Sequence, residues 1–302
     1  MHTLKNDVLT VQVKEHGAEL ASIMKGSTEY LWQADPAFWG RHSPVLFPIV
    51  GSVWEAKYRV DGKEYALGQH GFARDMDFEL VSRTDAEARF RLVSNQDTLK
   101  KYPWPFVLEI AYRLHGDSID VIWEVSNPGS EDMYFQIGAH PAFYYPDYNP
   151  QASPRGFLSF DRSEGLQCIR IKEKGCVDAE TKYPLEVPAD GLLPIASDTF
   201  DAIDTILLQD GQIDQVAMYR ADRTPWLKVT FDAPDYMLPV YSSIAYVDGY
   251  LAVCHGPDYT PVYLDARNGS KVGEIATGGR SYSAITSDEG GKMLLCNHLE
   301  TA

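Results

Sequence analysis

Apolar and polar positions alternate with a period of two along much of this chain. Leu9, Val11 and Val13 are separated by Thr10 and Gln12. Phe106, Leu108, Ile110, Tyr112 and Leu114 fall on one side of a segment whose other side carries Val107, Glu109, Ala111 and Arg113. Val121, Trp123 and Val125 repeat the pattern after Gly116-Asp117, and Met133, Phe135 and Ile137 repeat it after Asn127-Pro128-Gly129. Alternation with turn residues between the runs predicts antiparallel strands. Asp61-Gly62, between Tyr58-Arg59-Val60 and Lys63-Glu64-Tyr65, predicts a two-residue hairpin, because both turn positions need positive φ. The longest helical candidate, 97–102, stops at Pro103 after one or two turns. The expected fold class is all-β, a large sandwich of antiparallel sheets.

Two regions break this texture. The stretch from 146 to 194 is rich in Pro, Gly and charge and reads as long connections. Beyond about 235 come short strands (244–247, 250–254, 262–265 and 293–296) between Asp-Gly, Asn-Gly and Gly-Gly turns, closer in texture to a propeller blade. The expected division is therefore a β-sandwich over 1–235 and a β-rich segment over 236–302. No internal repeat and no Gly/Ser-rich linker is visible.

A hydrophobic fraction of 44% is enough for a large core. The 27 Lys and Arg against 43 Asp and Glu leave a net charge of −16, which repels nucleic-acid phosphates and anionic lipid. The N-terminus has no apolar signal core and no apolar stretch reaches about 18 residues, so a soluble, cytoplasmic protein without a membrane partner is expected. Cys168, Cys176, Cys254 and Cys296 form no C-x-x-C pair and read as ordinary thiols. Asn268-Gly269-Ser270 reads as a tight turn rather than a glycosylation site. Nothing in the sequence reports the oligomeric state.

Three segments carry candidate chemistry. His70 lies in Gln69-His70-Gly71-Phe72-Ala73-Arg74-Asp75 and His140 in Ile137-Gly138-Ala139-His140-Pro141-Ala142-Phe143. A glycine near each lets backbone or ligand approach closely, and Pro141 pushes His140 into an extended conformation. Such a histidine at a strand exit is a positioned acid or base, or else a hydrogen-bonded structural residue. Residues 41–51, Arg41-His42-Ser43-Pro44-Val45-Leu46-Phe47-Pro48-Ile49-Val50-Gly51, form a Pro-broken apolar run. They present Arg41 to a polar ligand or to an ordinary surface pair. Trp32, Phe38, Trp39, Trp104 and Phe143 are either core or stacking surfaces for a sugar. Nucleophile-elbow, phosphate-loop, zinc and EF-hand templates are absent, and a catalytic metal is not expected.

In this order and spacing, several segments together resemble the aldose 1-epimerase (galactose mutarotase-like) family, most closely its bacterial LacX-like branch. They are Trp39-Gly40-Arg41, 44–51, 70–75, 102–106, Asn127, 138–143, 200–208 and 226–234. The resemblance implies a β-supersandwich with a sugar site on a concave sheet face, and an isomerase of carbohydrate metabolism. The implied reaction is mutarotation, the interconversion of α and β anomers of a free aldose without a cofactor. It further implies His140 as the general acid, His70 as the residue that binds and polarises the sugar, and Arg41 and Arg74 as basic groups of the site. Asp204, with Asp201 as the alternative, is implied to orient hydroxyls. The family's general base, a glutamate in an Ile-Glu-Pro-Trp-like setting near the C-terminus, has no counterpart. After Pro234 the resemblance stops, and the tail either replaces missing sandwich strands or is a foreign addition. The candidate replacement bases are Glu274 first, then Asp265 and Asp258. Loss of the glutamate implies weakened catalysis; the alternative is a non-catalytic carbohydrate-binding protein that keeps the sugar cleft.

Overall fold

The computed structural model describes residues 1–144, 149, 152–173, 176–196, 199–200 and 205–232. Backbone alone is described at 172–173, 176–177 and 179, and in six strands beyond 232. The chain divides into two units, Met1–Tyr58 with Tyr65–Pro146, and Arg59–Glu64 with Asp147–Ala302. The boundary expected at 235/236 falls inside the second unit.

The first unit holds two four-stranded antiparallel sheets. One runs in the order His2–Lys5, Leu9–Val13, Leu20–Lys25, Thr28–Glu29. The other is ordered Ser118–Ser126, Val107–His115, Glu87–Val93, Glu79–Arg83. Both sheets contribute to one apolar cluster. Phe106, Leu108, Ile110, Tyr112 and Leu114 are all buried in it, as their spacing predicts, together with Leu4, Val11, Val13, Phe90 and Leu92. Burying one such side chain is worth about 1.5–3 kcal/mol, so this period-two face fixes which side of each strand is inward. The opposite face of the second sheet carries a charge ladder: Glu109 accepts from Arg89 and Arg91, and Glu87 from Arg113. The Lys57–Val60/Lys63–Ala66 hairpin turns through Asp61 (φ 48°) and Gly62 (φ 72°), as its Asp-Gly predicts.

The helical candidate is one turn, Gln96–Leu99. Asn95 caps it by accepting from the N–H groups of Asp97 and Thr98, and the Thr98 hydroxyl accepts from the Asn95 N–H in return.

Two expectations need correction. Met133, Phe135 and Ile137 alternate, yet only Gly138–Ala139 forms a strand there. The backbone of 133–137 makes isolated bonds instead. Gln136 N–H donates to the Pro48 carbonyl, and the Tyr134 carbonyl accepts from the Tyr102 hydroxyl. Pro48 has no N–H to return, so no ladder continues. The stretch from 146 to 194 is not all connection, because it contains strands Gly156–Phe160, Gln167–Glu173 and Cys176–Pro184. The last two pair with register shifts at 168/170 and 171/173, and bulges of this kind erase the period-two signal.

The second unit holds the sheet Leu193–Ile195, Gly156–Phe160, Gln215–Arg220, Pro225–Thr230. A three-stranded sheet is ordered Cys176–Pro184, Gln167–Glu173, Leu207–Leu208. Buried Phe157, Leu166, Cys168, Ile169, Ala217 and Trp226 mark its apolar positions. The tail forms strands at the four places its pattern predicts and two more: a four-stranded meander, Ile244–Val247, Tyr250–His255, Thr260–Asp265, Lys271–Glu274, and the pair Ala284–Ser287 with Met293–Cys296.

Candidate active site

The Pro-broken run and the His140 segment meet as a miniature ladder in the first unit. Val45–Leu46 pairs antiparallel with Gly138–Ala139, and His140 N–H donates to the Pro44 carbonyl (3.1 Å). Ala142 N–H donates to the His42 carbonyl (3.0 Å). Pro44 and Pro141 carry no N–H, so the pairing stays short and His140 sits just past its end. A Cβ on Gly138 would lie 3.1 Å from Val50 Cγ2, a tight approach.

His70 is held from a different direction. Its backbone has φ 64° and Gly71 has φ 68°, so the chain reverses tightly and presses Gly71 against Phe47. A Cβ on Gly71 would fall 2.2 Å from the Phe47 carbonyl oxygen, a space only glycine fits. That same oxygen accepts from the N–H groups of Phe72 (3.0 Å) and Ala73 (3.2 Å). His70 and Gly51 bond reciprocally: His70 N–H donates to the Gly51 carbonyl (2.7 Å), and Gly51 N–H donates to His70 Nδ1 (3.0 Å). An Nδ1 that accepts has no proton, so the neutral ring carries its proton on Nε2.

These two scaffolds bring the imidazoles of His70 and His140 to a centroid distance of 5.5 Å, with the Trp39 ring 6.2 Å from that of His140. Arg74 lies on the single helical turn Ala73–Asp75 and donates through Nη2 to the Gln69 carbonyl (2.9 Å). Its Nε makes no hydrogen bond among the described residues and lies 3.7 Å from Asp75 Oδ2. Arg41 donates through Nη2 to Asp75 Oδ1 (2.7 Å). Burial, then the positive charges of Arg74, His140 and Arg41, push His70 down to about 4. Burial and Arg74 hold His140 below its ordinary 6.5. At neutral pH both rings are therefore mostly uncharged, and the fixed positive charge of the site resides on the two guanidinium groups.

Of the residues singled out in the sequence, the structure thus gathers His70, His140, Arg41 and Arg74. Asp204, Asp201 and Asp258 lie outside the described residues. Glu274 ends strand Lys271–Glu274, opposite Val262, and Asp265 ends Thr260–Asp265. The side chains of both lie outside what is described. Trp104 and Phe143 pack against the core cluster, whereas Phe38 is 81% exposed and Trp39 partly so. Sequence reasoning passed over Asp75, the carboxylate that joins the two arginines; its signal was its place at the end of the His-Gly-Phe-Ala-Arg-Asp run. Among the described residues, no three His, Cys, Asp or Glu side chains come together as a metal-binding group. No helix among them is long and apolar enough to cross a membrane.

Residues 1–287 match the aldose 1-epimerase family, well past Pro234, where the motif-by-motif resemblance ends. Two curated relatives from Lactococcus lactis, the chromosomal and plasmid forms of protein LacX, are each 37% identical over 190 residues. That segment is 60% of this chain and 63% of each relative, so the match spans less than two thirds of their length. A galactose mutarotase related enzyme from Lactobacillus acidophilus is 25% identical with a TM-score of 0.66, covering 98% of this chain and 92% of that one. A galactose mutarotase-like protein from Lactobacillus casei is 24% identical with a TM-score of 0.69, covering 97% and 93%. The fold is accordingly all-β and galactose mutarotase-like.

Proposed function

We propose, from the premise that this chain belongs to the aldose 1-epimerase family, that it interconverts the α and β anomers of a free aldose, slowly and without a cofactor. The observation that carries this reading is the imidazole pair, ring centroids 5.5 Å apart, flanked by two arginines. Mutarotation needs one proton delivered and one removed. In this assignment protonated His140 gives its proton to the ring oxygen as the C1–O bond breaks, and a base takes the proton of the C1 hydroxyl. The open-chain aldehyde turns about C1–C2 and recloses on its other face, with both protons moving back. Neutral His70 donates from Nε2 to a sugar oxygen and polarises it. Arg41 and Arg74 hold hydroxyls, and Asp204 orients another.

Two features support slow turnover. His140 titrates below 6.5, so little of it is protonated at pH 7. The family's C-terminal glutamate motif is missing, and Asp75 is engaged by Arg41. Glu274 is the substitute base in this proposal; a positioned base contributes about 10²–10⁴-fold.

Polarimetry of freshly dissolved α-galactose and α-glucose tests the proposal, with calorimetric titration of the same sugars alongside. A small acceleration is expected, lost in His140→Asn and lowered in Glu274→Gln. Acceleration unchanged in His140→Asn at an unchanged melting temperature would overturn the acid assignment. Binding without acceleration would make the protein a carbohydrate-binding module that keeps the cleft, and absence of both would refute a sugar function.

A further inference from the structure

Among the described residues, one buried charge has no part in the proposed reaction. Glu19, 8% exposed, sits in the turn between Leu9–Val13 and Leu20–Lys25. Its Oε1 accepts from the backbone N–H groups of His42 (2.8 Å) and Ser43 (3.1 Å), and its Oε2 from Lys14 Nζ (3.2 Å). His42 Nδ1 lies 3.7 Å from Oε2. Burying a carboxylate is costly unless its lone pairs are filled, and here donors fill them on both oxygens. Burial opposes ionisation, yet the two N–H groups and Lys14 hold Glu19 below the usual carboxylate range.

The residues that Glu19 grips are those on which the candidate site is built. His42 and Ser43 lie between Arg41 and Pro44. The Pro44 carbonyl receives His140 N–H, and the His42 carbonyl receives Ala142 N–H. The same turn also touches the other arginine. Gly17 N–H donates to the Met76 carbonyl (2.7 Å), and a Cβ on Gly17 would lie 2.8 Å from the Arg74 carbonyl oxygen. His16 and Asp77 form an antiparallel bridge. Turn 15–19 thus braces both loops that present guanidinium groups.

We infer that Glu19 is a positioning residue: its carboxylate clamps the 42–43 backbone and thereby sets the places of Arg41 and of the His140 ring. The kinetic consequence rests on the mutarotase reading; the clamp itself does not. Without the carboxylate, two N–H groups ahead of Pro44 lose their acceptor, and the segment that docks His140 is free to shift. Displacement of about 1 Å at a reacting group costs up to about 10²-fold.

The test compares Glu19→Ala, Glu19→Gln and Tyr112→Phe. The last removes a hydroxyl bond to the Ala18 carbonyl in the same turn without touching 42–43. Glu19→Ala should lower mutarotation kcat/KM about 10–100-fold, mostly in kcat, and return the His140 titration, followed by NMR of its ring protons, toward 6.5. Glu19→Gln keeps an oxygen for both N–H groups and should stay within about threefold of the parent. Tyr112→Phe should lower the melting temperature with neither effect. If Glu19→Ala does not fold, Glu19→Asp, too short to span both N–H groups, should shift the His140 titration in the same direction. An unmoved His140 titration in a folded Ala or Asp variant, or an equal shift in Tyr112→Phe, overturns the clamp. A parent protein that does not mutarotate refutes the functional reading, while the titration still decides the clamp.

Discussion

Lowering the pH below 7 should destabilise this protein through His70. The folded ring is held near 4, against 6.5 when free, and the geometry gives an independent reason. A second proton would have to sit on Nδ1, where Gly51 N–H already points. Between pH 6.5 and 4 the unfolded chain therefore binds a proton that the folded chain refuses. Stability rises with pH across that window; it is complete at pH 7 and is lost as pH falls toward 4. The gap between 6.5 and about 4 corresponds to at most about 3.4 kcal/mol at 1.36 kcal/mol per pH unit. Solvent reaching the partly exposed ring cuts this to about 1–2 kcal/mol. His70→Asn is the suitable perturbation, because asparagine tolerates the left-handed φ of 64° and its amide oxygen can accept from Gly51. His140 and His42 are also held low and weaken the parent and the variant alike on acidification. The parent should lose about 2–6 °C more in melting temperature than His70→Asn between pH 7 and pH 4.5. Its His70 resonance should titrate near 4. A His70 midpoint at 6 or above, or equal losses in parent and variant, would refute the reasoning.

Two further outcomes follow from the same site. Gly71→Ala combines a left-handed residue, about 1–2 kcal/mol, with a clash against the Phe47 carbonyl, about 1–3 kcal/mol, and should cost about 2–5 kcal/mol in all. Gly26→Ala, with φ 62° and open space around it, should cost only the first part; equal losses in melting temperature for the two would remove the close-approach explanation. Arg41→Ala and Arg74→Ala should each raise KM about 10–100-fold with a smaller change in kcat, since a charge-assisted hydrogen bond is worth about 1.5–3 kcal/mol. Arg74→Ala should also raise the titration midpoints of both histidines, and unchanged sugar affinity in both variants would make the arginines purely structural.

The first sheets were legible because their side-chain period is the period of the strand. Phe106 to Leu114 alternates without interruption, and every inward residue is buried. Legibility failed where the period and the hydrogen bonding part company. Met133, Phe135 and Ile137 alternate, but the partner backbone beside them contains Pro48 and offers no ladder. Strands Gln167–Glu173 and Cys176–Pro184 pair, but two register shifts break the ladder and scramble their apolar positions into something that reads like a loop. Pattern reports which face is inward; it is silent on whether a neighbour has donors and acceptors in register.

The site was legible for a different reason. Its histidines and arginines lie in short runs where glycine and proline are mechanically required, and those residues can be recognised without knowing what they touch. Gly71 lets the chain close on Phe47, and Pro44 and Pro141, which have no N–H, thin the pairing around His140. Asp75 and Glu19 lie beside such glycines too, but nothing in the sequence says what their carboxylates touch. An aspartate after an arginine and a glutamate before a leucine are ordinary surface pairs in sequence, and only the fold brings one between two guanidinium groups and the other under two backbone N–H groups. The asymmetry reaches the chemistry. In the proposed reaction the residues readable from sequence supply donors, an acid and positive charge, while two described carboxylates near them are already committed, Asp75 to Arg41 and Glu19 to the loop. In the proposed reaction, the base is therefore sought among carboxylates free of such duties, Glu274 first. This is why the assignment turns on Glu274, and why replacing it is more informative than replacing any residue of the histidine pair.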